Sequence, residues 1–103
     1  MRKGTHVTLD ENVRQLGTLD DDVILCVRPP WMPSSDCVIT APDENLGAPK
    51  DVKEAGLAYF LEVHVAREIL GVFGDKPPTH EEKVRLLIHY AENDAYPEWV
   101  FQR

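Results

Sequence analysis

The side chains of this 103-residue sequence that could do acid–base, nucleophilic or metal chemistry are four histidines, two cysteines and eighteen carboxylates. Each of those chemistries needs a particular spacing. His6, His64, His80 and His89 form no His-x-x-x-His pair that one helix face could offer to a metal ion. His89 shares a polar helix face with Arg85 and Glu92, and His64 falls near a helix start, so both are placed at the surface. The carboxylates come in runs: Asp20-Asp21-Asp22, Asp43-Glu44, Glu81-Glu82, and Glu92 with Asp94. General acid–base work needs two carboxyls whose surroundings push their pKa values apart, usually by burying one. None of these runs lies inside an apolar stretch, and the contiguous Asp triplet lacks the glycine and terminal glutamate of a calcium loop. The six glycines form no phosphate-binding loop, and there is no Gly-x-Ser-x-Gly elbow. No catalytic centre, metal or cofactor is therefore expected.

Charge is more informative than any pair. Eleven basic against eighteen acidic side chains leave −7, which argues against nucleic acid as the direct ligand. Between Asp10 and Glu54 ten carboxylates meet four basic residues, and the same stretch carries Trp31 and Met32 in a proline-rich connection. Exposed aromatics ringed by carboxylates suit a binder of a cationic protein surface. Equally, Trp31 could cap the core while the acids keep the chain soluble.

The elements that must position these residues belong to one domain, residues 1–103, too short for two independent cores but 43% hydrophobic. No apolar run nears the ~18 residues of a membrane span, and the His6–Asp10 stretch is no signal-peptide core. Thr8 and Glu11 form a capping box ahead of Leu9, Val13 and Leu16, a two-turn helix that Gly17 ends. Val23–Val27 and Asp36–Thr40 are strands joined by a wide hairpin, the first covered on both faces. A hairpin centred between Trp31 and Met32 would set Cys26 opposite Cys37, so a cross-strand disulfide is geometrically open. A reducing cytosol favours two free thiols. One helical turn through Glu54 precedes Gly56, and Leu57–Leu61 is a third strand. A helix follows with Val65, Ala66, Ile69, Leu70 and Phe73 on its apolar face, closed by Gly74. The clearest helix starts at a second capping box, Thr79 with Glu82, and carries Val84, Leu87, Ile88 and Ala91. Trp99–Phe101 is a candidate edge strand. The expected fold is α+β: a mainly antiparallel sheet of three or four strands with two principal helices packed on it.

Gly56-Leu57-Ala58-Tyr59-Phe60-Leu61, the amphipathic stretch Val63 to Leu70, and Tyr90-Ala91-Glu92-Asn93-Asp94-Ala95-Tyr96 together resemble a small uncharacterised bacterial domain family of about a hundred residues. Its pattern is Gly-Leu-x-Tyr-x-Leu, a helix, then a second helix ending in Tyr-x-x-x-Asp-Ala-aromatic; Trp31 and Cys37 match its usual tryptophan and cysteine. The likeness runs from about Val23 to Tyr96, although acidic residues after the second strand are sparse here, Asp43 and Glu44 only. Such domains are similar to the immunity proteins encoded beside polymorphic or contact-dependent toxins. The resemblance implies a cytoplasmic protein, monomeric when free, that neutralises a cognate toxin domain, often a basic nuclease, by occlusion and acidic mimicry. Asp20, Asp21, Asp22, Trp31, Asp43 and Glu44 are the expected contacts. The alternative is a small regulator or adaptor that lends its Trp99-Val100-Phe101 tail to a partner as a strand.

Overall fold

Four apolar residues in succession, Ile24–Val27, form a strand with no solvent-facing side, and the rest of the chain assembles around it. In the computed structural model, which describes residues 6–45 and 47–102, all four are buried. This strand (β2) pairs antiparallel with β3 (Asp36–Thr40) and with β4 (Ala58–Glu62). A short strand β1 (His6–Thr8) adds to β3, giving the order β1-β3-β2-β4. The expected α+β fold with an antiparallel sheet is what forms, but its fourth strand is β1.

The Trp99–Phe101 edge strand does not form. Pro97 leads into a 3-10 turn, Glu98–Phe101, in which the Val100 N–H donates to the Pro97 carbonyl. The turn buries Val100 in the core and packs Trp99 against Phe73, with ring centres 6.3 Å apart and the rings tilted by 38°. An extended tail would put Trp99 and Val100 on opposite sides and lose one of those contacts.

Helices cover one face of the sheet. Helix α1 (Leu9–Arg14), α3 (Val63–Leu70) and α4 (His80–Asn93) bring Leu9, Val13, Ala66, Ile69, Leu86 and Leu87 against Leu25, Val27, Cys37 and Leu61. On the other face Ile24, Cys26 and Val38 are covered by Ala48, Leu57 and Val52, the last from the one-turn helix α2 (Lys50–Glu54). Both threonine caps form. The Thr8 hydroxyl accepts from the Glu11 N–H, and Thr79 with Glu82 completes a reciprocal box. On α4 the buried stripe is Val84, Leu86 and Leu87; Ile88 and Ala91 are only half-buried.

Two register details set which face the side chains of β2, β3 and β4 take. In β4 the pairing shifts between Leu25 and Cys26: Leu25 faces Leu61 and Cys26 faces Tyr59, so Phe60 is the extra residue of a bulge. The bulge sends Phe60 and Leu61 into the same core layer, a placement strict alternation forbids. In the β2–β3 hairpin Cys26 faces Val38, and Val27 faces Cys37. The hairpin is thus centred on Met32, half a residue beyond the expected centre, which slips the pairing by one position. The Ser35 hydroxyl holds this loop, accepting from the Met32 N–H and donating to the Pro30 carbonyl. A one-residue slip puts the two cysteines on opposite faces. Both are free and buried, Cys37 with the helical core and Cys26 beneath α2, so no bridge can close between them.

Candidate interaction surface

Strand direction decides where the predicted contacts go. Asp20, Asp21 and Asp22 lie one residue, Val23, ahead of β2, and all three are exposed. β3 runs antiparallel to β2 and ends with Thr40 opposite Ile24, so Asp43 and Glu44 leave the sheet at the end where the Asp triplet enters it. Glu62, the last residue of β4, also pairs with Ile24 and joins that end. Trp31 departs from the far end of β2, a strand length of ~13 Å away. The structure therefore gathers five of the six predicted residues at one end of the sheet and leaves Trp31 at the other.

Two of the five acids have structural work. The Arg67 guanidinium, reaching over from α3, pairs with Asp21 and donates to the carbonyls of Leu16 (2.9 Å from Nη2, 3.2 Å from Nε) and Leu19. These are carbonyls of a 3-10 turn, Leu16–Thr18, and its cap, which Arg67 satisfies while Asp21 balances its charge. Asp43 Oδ1 accepts from the N–H groups of Asn45 (2.9 Å) and Gly47 (2.8 Å), closing the loop after β3. Asp20, Asp22 and Glu44 remain exposed, with no ion pair among the described residues.

Trp31 is half-buried. Its ring meets Phe60 edge-on at 5.0 Å, and its indole N–H donates to the Val27 carbonyl at 3.1 Å. Met32, half exposed, carries the free apolar surface of this loop.

A different constellation emerges beside β4, the edge of the sheet that no strand covers among the described residues. Tyr59, Phe60 and Leu61 from β4, Val65 from α3, and Tyr90, Ala91 and Asp94 from α4 and its cap line a groove of about 410 Å³. Asp94 takes a left-handed conformation, φ 53°, and its N–H donates to the Tyr90 carbonyl. That cap turns the chain back, so that Tyr96 packs on Tyr90 at 5.3 Å and Phe101 on Tyr96 at 6.2 Å. Tyr90 and Tyr96 are thus in ring contact here, and Tyr59 lines the same groove. Tyr59, Tyr96 and Phe101 keep 39%, 40% and 69% of their surface exposed. The Tyr-x-x-x-Asp-Ala-aromatic spacing is the sequence signal of this turn, but residue spacing alone carries no information that β4 would come alongside it.

Titration differs between core and surface. Burial pushes the Cys26 thiol up to about 11 and the Cys37 thiol to about 12. Partial burial, then the nearby Glu62 charge, raises the Tyr59 hydroxyl. Asn12 is fully buried beside Cys37, where its side chain works against the burial that raises the thiol, and its Oδ1 accepts from Gln15. No group of three or more His, Cys, Asp or Glu side chains among the described residues is arranged to hold a metal ion. No helix among them is long and apolar enough to cross a membrane. Comparison with protein-family models, with curated proteins and with solved structures yields no match.

Proposed function

We propose that this chain is an immunity protein: it binds a cognate bacterial toxin domain of basic character, a nuclease, in the cytoplasm and neutralises it by occupying the cationic surface that would hold nucleic acid. The observation that carries this reading is the acidic end of the sheet, where β2 enters and β3 and β4 leave with Asp20, Asp22, Glu44 and Glu62 facing outward or half-exposed. With −7 on a small fold, such an end presents a field that accelerates encounter with a basic surface and mimics a row of phosphates. An inhibitor acting this way needs complementary shape and charge, and no bond-making chemistry.

The test is association kinetics against a basic toxin-like domain, sought among the reading frames that neighbour this one. Asp20→Asn, Asp22→Asn and Glu44→Gln are combined, and Asp21 and Asp43 are kept because they hold Arg67 and the loop after β3. Removing three charges should slow association about tenfold at low salt and much less at high salt. Failure of the unaltered protein to bind the basic domain would overturn the reading.

A further inference from the structure

The groove beside β4 brings aromatic, aliphatic and acidic residues to one surface. Residues of two elements line it, Tyr59, Phe60 and Leu61 from the strand and Tyr90, Ala91 and Asp94 from the helix and its cap. Phe60 is itself buried, so the aromatic surface on offer is that of Tyr59 and Tyr90. Glu62 lies close enough to Tyr59 to act on its hydroxyl, and no basic side chain lines the groove. Asp94 makes no ion pair among the described residues. Aromatic rings attract cations through their negative faces, and a neighbouring carboxylate adds a charge partner. A flat guanidinium answers both, stacking on a ring while donating to a carboxylate; an ammonium answers them less completely. The aliphatic stem of arginine matches the Leu61, Val65 and Ala91 walls. Tyr96 and Phe101 extend the aromatic surface beyond the groove and offer area for whatever flanks that arginine.

From this we infer that the β4–α4 groove is the anchoring site for an arginine side chain presented by a cationic protein partner. That the partner is a toxin rests on the reading above; the guanidinium chemistry of the groove does not. The acidic end of the sheet then supplies attraction at a distance, while the groove supplies the contact that retains the partner.

Asp94→Asn is the sharpest variant, because asparagine tolerates the left-handed cap that Asp94 adopts and loses only the charge. The measurement is a chemical-shift titration of the whole protein, at a concentration where diffusion shows monomer, with N-acetyl-arginine amide. N-acetyl-citrulline amide serves as its uncharged counterpart. The expected result is that amides of Tyr59, Leu61, Tyr90 and Asp94 respond to the arginine probe. Citrulline should bind about threefold or more weakly, and Asp94→Asn should weaken the arginine response by a similar factor. Equal responses to both probes, responses confined to the Asp20–Asp22 end, or a groove filled by a second copy of the chain would overturn the inference. A second arm uses whatever basic toxin-like domain the neighbouring frames supply: Ala91→Arg, which places a guanidinium in the groove in advance, should speed dissociation about tenfold or more. If that domain is not bound even by the unaltered protein, the immunity reading falls, and the titration still decides the groove.

Discussion

Arg67 shows how a residue chosen for one role can be occupied by another. The Asp triplet suggests a free acidic edge, yet its middle member is the counter-ion of a guanidinium that closes the carbonyls of Leu16 and Leu19. Nothing local to Asp21 signals this, since Arg67 is 46 residues away in sequence. Lysine has the charge but not the fork, so Arg67→Lys should cost about 1–3 kcal/mol in urea denaturation. Asp21→Asn, at an exposed position, should cost less than about 1 kcal/mol. Equal stability of Arg67→Lys and the parent would show that the carbonyl contacts are idle. The cysteines make the complementary case: both their faces and their unbridged state depend on a half-residue shift of the hairpin centre, in the loop that Ser35 holds. Thiols held at about 11 and 12 when folded and near 9.0 when exposed lose their protons first in the unfolded chain. Stability should therefore be insensitive to these groups below pH 9 and fall as pH rises from about 9 toward 12. Urea midpoints at pH 8 and 10.5 check it: the fall should be smaller in the Cys26→Ala, Cys37→Ala double variant.

Among the elements, those announced by their own residues form where they are expected. Thr8 and Thr79 start helices, Gly56 and Gly74 take positive φ (91° and 56°) where segments end, and β2 is buried at every position. Elements defined by a distant partner are not legible in the same way. β1 exists because β3 offers it an edge, and Trp99–Phe101 coils because Phe73 and the core offer pockets for Trp99 and Val100. Helix α4 lies between these cases. Its 3.6-residue stripe predicts Leu87 and Ile88 as the core pair, but the helix also meets α1 and α3, and their packing turns Leu86 inward and leaves Ile88 half-buried. Leu86→Ala and Leu87→Ala should each cost about 2–5 kcal/mol, whereas Ile88→Ala should cost roughly 1 kcal/mol. Equilibrium unfolding of the three variants ranks them; a loss at Ile88 matching that at Leu86 would mean the helix is rotated toward the original stripe.

Across the whole molecule, α3 stands between the two surfaces proposed to meet a partner. Val65 lines the groove and Arg67 holds Asp21, and residues two apart on a helix project about 200° from each other. The groove and the acidic end thus flank a helix about 10 Å across, with its core-facing residues Val63, Ala66 and Ile69 buried. Glu62 borders both surfaces, but the residues substituted, Asp20, Asp22 and Glu44 at one and Asp94 at the other, share no contact among the described residues and should act independently. Long-range attraction governs encounter and short-range packing governs escape, so the two surfaces should affect different rates. The Asp20→Asn, Asp22→Asn, Glu44→Gln variant should lower the association rate and flatten its dependence on salt, leaving dissociation nearly unchanged. Asp94→Asn should mainly raise the dissociation rate. Combining all four substitutions should give the sum of the separate free-energy changes to within ~0.5 kcal/mol. Stopped-flow association and dissociation measured at low and moderate salt supply the four corners of that cycle. A coupling well above that margin would place both sets of residues in one contact and require the partner to wrap around α3.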